Sequence, residues 1–147
     1  MAIKVKQVGL WTGKLEDMPG GAARVLEPLA QAKVDLEFVL VRRTPEEPGK
    51  GVIFVSPIKG AKAEQAARSA GLSAAAGLGA LRIEGDNQPG TGHTLTRAIG
   101  NVGVSFRGLS TTVFGKKFVC FMGFDSPSDA SRAEEAITAS TKKGAKK

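Results

Sequence analysis

Two short stretches carry the polar groups best placed for chemistry, "LEDMPGGAA" (residues 15–23) and "EGDNQPGTG" (84–92). Each sets an acid ahead of a Pro-Gly pair, between a strand-like run and a helical one. A helix that begins after Gly90 turns its unpaired N–H groups and the positive end of its dipole toward the loop. Such an end accepts a carboxylate, and glycine lets the backbone come close to a ligand. Asp86, Asn87 and Gln88, ahead of Pro89 and Gly90 and followed by Thr91, offer groups for an ammonium or a polar side chain. Carboxylate on one side and ammonium on the other describe a free amino acid. The first stretch, with Glu16, Asp17 and Met18 before Gly20, is more negative and suits an anion less. Pro-Gly is also ordinary turn and cap chemistry, and taken alone these residue types favour that structural role.

Other reactive side chains are few. The single histidine, His93, falls in the first turn of the helix after the second Pro-Gly and reads as a solvated or capping group. The single cysteine, Cys120, lies inside the apolar run "FVCFMGF" and reads as a small core residue. One His and one Cys cannot assemble a metal cluster or a nucleophile triad, and the carboxylates are scattered rather than paired. The inventory therefore argues against an enzyme and calls for no cofactor. Trp11 reads as a core or interface residue. The hairpin-like "RRTPEEPGKG" (42–51) reads as a mobile, solvated tip.

The elements that must position these loops are written twice. With Pro19-Gly20 set on Pro89-Gly90, an offset of seventy places Val25 on Leu95, Leu29 on Ile99, Val34 on Val104 and Leu36 on Phe106. Residue identity is poor, but the apolar pattern matches without a gap. Ala22, Val25, Leu26, Leu29 and Ala30 fall at helical spacing, as do Leu95, Ala98, Ile99 and Val102. Pro28 interrupts the first of these helices, which should kink or shorten there. "VDLEFVLV" (34–41) and "VSFRGLSTTVF" (104–114) follow as strands, then "VIFVS" (52–56) and "FVCFMGF" (118–124). Alanine-rich helices over 61–70 and 128–139 come last. Strand, helix, strand, strand, helix, twice, is α+β: two ferredoxin-like βαββαβ units in tandem, residues 1–76 and 77–147. A short strand within 72–76 closes the first unit. Nothing after the second helix resembles a closing strand, so the second sheet ends one strand short or takes its edge from elsewhere. A missing edge seeks a partner, and a homodimer is expected.

Composition sets wider bounds. The chain of 147 residues carries a net charge of +7, much of it in Lys4, Lys6 and the tail "TKKGAKK" (141–147), which reads as a frayed end. No run approaches the ~20 apolar residues that span a bilayer, and "MAIKVKQVGL" is not a secretory signal, so a cytoplasmic location is expected. Basicity keeps a nucleic-acid module open as the alternative function. Against it, the sequence has no Tyr, and its Phe residues sit mostly in apolar runs.

"LEDMPGGAARVLEPLAQAKVDLEFV" and "GDNQPGTGHTLTRAIGNVGVSFRGLS" resemble tandem ACT domains, small regulatory units that sense amino acids. The family pattern is an acid, Pro-Gly, an amphipathic helix and a small-residue turn into Gly-Val-Asn-Ile. Asp35 and Ser105 stand where that asparagine is frequent, and Lys33 replaces the glycine kept as Gly103. The resemblance implies a stand-alone sensor whose ligand lies where units meet, with Asn101, Gly103 and Ser105 lining the Pro-Gly loop of a neighbouring unit and Asp35 as their counterpart. It also implies a small amino acid or related small acid as ligand and an enzyme of amino-acid metabolism as regulated partner.

Overall fold

Apolar residues at every second position of "FVCFMGF" and "VIFVS" make two strands with one buried face each. A computed structural model, which describes residues 3–145, shows what those faces pack against. In chain order the elements are β1 (Ile3–Gln7), β2 (Trp11–Glu16), α1 (Gly21–Gln31), β3 (Phe38–Arg43), β4 (Lys50–Ser56), α2 (Ala61–Ser69), β5 (Ser73–Ala74), β6 (Gly79–Asp86), α3 (Thr91–Asn101), β7 (Gly108–Phe114), β8 (Lys117–Phe124) and α4 (Pro127–Ala145). They form two four-stranded antiparallel sheets, ordered β3-β4-β2-β5 and β1-β6-β8-β7. The architecture is α+β, with two ferredoxin-like units.

Residues 9–76 make one unit, called inner here because its sequence is enclosed by the other. Its core gathers Trp11 and Leu15 of β2, Val25 and Leu29 of α1, Ile53 and Val55 of β4, and Ala67 of α2. Trp11, read as a core or interface residue, opens β2 within this core, and the Arg68 guanidinium of α2 stacks 5.8 Å from its ring centroid. The chain through residue 8 clusters with the chain from residue 77 onward to make the outer unit. Its core joins Leu81 and Ile83 of β6, Leu95 and Ile99 of α3, alternate residues Phe118 to Phe124 of β8, and Ala133 and Ile137 of α4.

Here the structure departs from the reading by sequence. β1 does not open the first unit. It runs antiparallel along β6, from Ile3 opposite Gly85 to Gln7 opposite Leu81. Ile3 and Val5 pack on the outer core, and the Gln7 amide donates to Ser131 and Glu134 of α4. The strand that the second sheet lacked is therefore the first one in the chain. With that edge filled, the argument that an absent strand calls for a dimer partner falls away. Each sheet keeps two edge strands, β1 and β7 in one and β3 and β5 in the other.

Smaller differences have local causes. β3 starts at Phe38 rather than Val34, yet Val34 and Leu36 still pack on the inner core. α1 runs unbroken through Pro28. The tail expected to fray is helical as far as Ala145, in keeping with its alanine and lysine content; Lys146 and Lys147 lie outside the described residues. At the hairpin that follows β3, Arg43 pairs with Asp17 at 2.8 Å and Lys14 with Glu47 at 3.1 Å.

Cys120 is buried, 2% exposed, and burial pushes its thiol up to about 11. Only a thiolate is nucleophilic, so the native protein should resist alkylation at pH 8 and react once unfolded at the same pH. Fast labelling of native protein in a thiol-counting assay would contradict this. Because the folded value lies above the unfolded one, the associated stability is intact below the ordinary thiol range. It is lost as pH climbs through that range toward 11.

Candidate ligand-binding loops

The two Pro-Gly loops are built alike from the same short-range chemistry. At each, the last strand residue meets a turn, a left-handed glycine and a helix with no side-chain cap: Gly20 has φ 82° before α1 and Gly90 has φ 85° before α3. The amide of Asp17 donates to the Gly49 carbonyl, and that of Asn87 to the Lys116 carbonyl. The first helical amide turns back in both, Gly21 to the Met18 carbonyl at 2.9 Å and Thr91 to the Gln88 carbonyl at 3.3 Å. The Thr91 hydroxyl reinforces this by donating to the same Gln88 carbonyl at 2.8 Å. The fourth amide enters the helix ladder, Arg24 to Gly20 and Thr94 to Gly90. That leaves the second and third amides of each helix facing outward, as helix starts require. Burial repeats residue by residue from 15–30 to 85–100, the single departure being Ala22 against Gly92.

The acids are not free. Glu16, last in β2, pairs with Lys50, first in β4, at 2.6 Å. Asp86, last in β6, pairs with Lys117, first in β8, at 2.5 Å. The hydrogen bond from Lys117, and then its charge, hold the Asp86 carboxyl below the usual carboxylate range. The first loop is consequently less negative than its composition implies, since Arg43 also neutralises Asp17. The lysines were missed by reading the sequence. Their signal was the register: in an antiparallel pair the end of one strand meets the start of its partner.

Asn87, Gln88, Pro89 and Gly90 are exposed, and Thr91 is buried. Met18 is exposed beside Gly20. Asn101, Gly103 and Ser105 are exposed at the other end of α3. At ~1.5 Å per residue that helix is about 15 Å long, so one unit does not bring them to its own Pro-Gly loop. The same separation holds for Asp35 and the loop that carries Glu16 and Gly20. Gly103 (φ 75°) and Lys33 (φ 58°) both take the left-handed conformation that ends their helices, with Val104 and Val34 amides reaching back to the Ile99 and Leu29 carbonyls. Lys33 thus keeps the geometry of the glycine it replaces. In the outer unit, Arg132 of α4 donates to the Val102 carbonyl at this turn. His93 is exposed. Among the described residues, no group of three His, Cys, Asp or Glu is placed to hold a metal ion, and no helix is long and apolar enough to cross a membrane.

Paired units, each with a sheet behind two helices and an uncapped helix start after Pro-Gly, define an ACT-like fold. Solved structures share it. Protein BT0572 from Bacteroides thetaiotaomicron superposes with a TM-score of 0.76 at 15% identity, over 93% of this chain and 90% of that one. The ligand-free regulatory subunit of aspartate kinase from Thermus thermophilus gives 0.63 at 14% identity, over 95% and 97%. Aspartate kinase from Clostridium acetobutylicum, described as an allosteric enzyme, gives 0.64 at 13% identity, and the match spans 97% of this chain but 34% of that one. At such identities the likeness establishes fold. No family model matches the sequence, and no curated protein does.

Proposed function

We propose that this protein is a non-catalytic amino-acid sensor that binds its ligand at the Pro-Gly loop leading α3. The carrying observation is the pair of outward amides at the start of that helix, beside exposed Asn87 and Gln88 and with no side-chain cap. Those amides and the helix dipole hold the ligand carboxylate. Asn87 and Gln88 take its ammonium, with Asp86 adding a charge that it shares with Lys117. Asn101, Gly103 and Ser105 of a second copy complete the site. The equivalent first-copy set is Glu16, Met18, Gly20 and Asp35. Architectural likeness to a regulatory subunit of aspartate kinase supports the regulatory part of the reading.

Binding at such a site favours one arrangement of copies over another and so reports to a partner, an enzyme of amino-acid metabolism in the cytoplasm. The homodimer rests on the apolar edge strands: Val39 and Val41 on β3, and Val113 (51% exposed) and Phe114 (59%) on β7. Exposed apolar edges of this kind are normally covered. Sedimentation at micromolar concentration checks the dimer, and a monomer there removes it.

Thermal shift against the twenty amino acids tests the site. One or a few should raise Tm, and the joint change Asn87→Ala and Gln88→Ala should weaken that ligand about tenfold, the loss of one or two charge-assisted bonds. Both side chains are exposed, so the ligand-free Tm should not move. A screen with no hit, or a hit indifferent to those changes, removes the loop from the reading.

A further inference from the structure

The inner unit holds a groove of about 360 Å³ between the first half of α1, the end of α2 and the end of β2. Its apolar lining is Leu15, Val25, Pro28 and Ala70, and its charged lining is Lys14, Glu16, Arg24 and Lys50. The volume is within the range of small-molecule sites. Charge in the lining does not cancel. Lys14 is paired with Glu47 and Lys50 with Glu16, whereas Arg24 has no ion pair or side-chain hydrogen bond among the described residues. One positive charge is left beside the apolar lining.

The duplication supplies an internal control. At the offset of seventy, Arg24 corresponds to Thr94, Lys14 to Glu84 and Pro28 to Ala98. Thr94 turns its hydroxyl back to the Gly90 carbonyl of its own helix. The outer unit reaches the same fold without a guanidinium or a proline at these positions, so the fold itself does not require them. Pro28 is costly where it stands, in a helix interior, and cannot donate to the Arg24 carbonyl one turn earlier. Residues that break a local rule without a structural return tend to mark function. Pro28 and Arg24 do so on one wall of one groove.

We propose that this groove binds a small organic monocarboxylate with a compact apolar body. The guanidinium of Arg24 takes the carboxylate as a two-pronged pair, and Leu15, Val25, Pro28 and Ala70 take the carbon chain. The site is separate from the Pro-Gly loop of the outer unit and does not depend on that loop being a sensor. It recognises a carboxylate and an apolar tail rather than a zwitterion.

Titration of the full chain with butyrate, hexanoate, hexanol and hexylamine, followed by calorimetry and by amide chemical shifts, tests it. Hexanoate should bind more tightly than butyrate, because each buried methylene adds to affinity. It should also bind about tenfold or more tightly than hexanol or hexylamine. Amides of residues 14–28 and 69–70 should shift. Arg24→Gln should weaken hexanoate about tenfold with an unchanged ligand-free Tm, since Arg24 is exposed. Asn87→Ala should leave hexanoate binding unchanged. Hexanol or hexylamine binding as well as hexanoate would reduce the groove to an apolar crevice and overturn the proposal. So would wild-type affinity in Arg24→Gln, or no carboxylate binding. If no carboxylate binds the groove while an amino acid still binds the wild type but not Asn87→Ala, the groove fails and the loop stands.

Discussion

Deleting residues 1–8 should destabilise the outer unit and leave the inner sheet protected. In a sequence read locally, those residues belong with the strand that follows them, and their loss would strip the first unit. In the fold Ile3–Gln7 form an edge strand beside β6, in register over five residue pairs. The ladder is extended by the Val8 amide on the Ala80 carbonyl at 3.0 Å. Ile3 and Val5 cover the outer core. Half-burying two such side chains and pairing one strand contribute roughly 3–5 kcal/mol, a large share of the ~5–15 kcal/mol that holds a domain. The single change Val5→Asp acts in the same direction and should cost about 2 kcal/mol, through a carboxylate pressed against Ile83 and its neighbours. Hydrogen exchange on the full chain and on both variants distinguishes the outcomes. Amides of β6 should lose protection first, while those of β2 and β4 keep theirs. Equal loss in β2 and β4 would mean that the strand supports the inner unit instead.

The second large effect has the opposite sign. Pro28→Ala should stabilise the inner unit by about 2–3 kcal/mol, because it restores a donor to the Arg24 carbonyl and removes the ring from the helix interior. Ala98 shows that alanine suits the same position in α3, where Leu95 and Ile99 pack as Val25 and Leu29 do in α1. Urea unfolding followed through Trp11 reports on this unit, since the indole lies in its core. The midpoint should rise, and hexanoate binding should weaken several-fold as one wall of the groove is lost. A midpoint that stays or falls would show that packing of the ring already offsets the missing bond.

Reading the sequence located the Pro-Gly turns, the helix faces, the later strands of both units and the closing strand near Ser73. Those features depend on spacing of two to four residues along the chain, which strand pleat and helix pitch convert directly into buried faces. The repeat was legible for the same reason. The offset of seventy carries glycine conformation, cap bonding and burial from one loop to the other, even where Lys33 stands for a glycine.

What the fold alone decided joins residues far apart. Placing Ile3–Gln7 beside β6 rather than beside β2 is a choice between distant partners, and alternating residues in β1 fit either edge equally well. The acids of the candidate loops looked available because Lys50 lies 34 residues from Glu16 and Lys117 lies 31 from Asp86; only the antiparallel register brings them together. The groove that leaves Arg24 unpaired is likewise a product of packing, formed where α1, α2 and the end of β2 converge. By itself the sequence determined which elements form and which loops repeat. The tertiary structure decided their partners, because pairing across a sheet depends on geometry that local pattern does not encode.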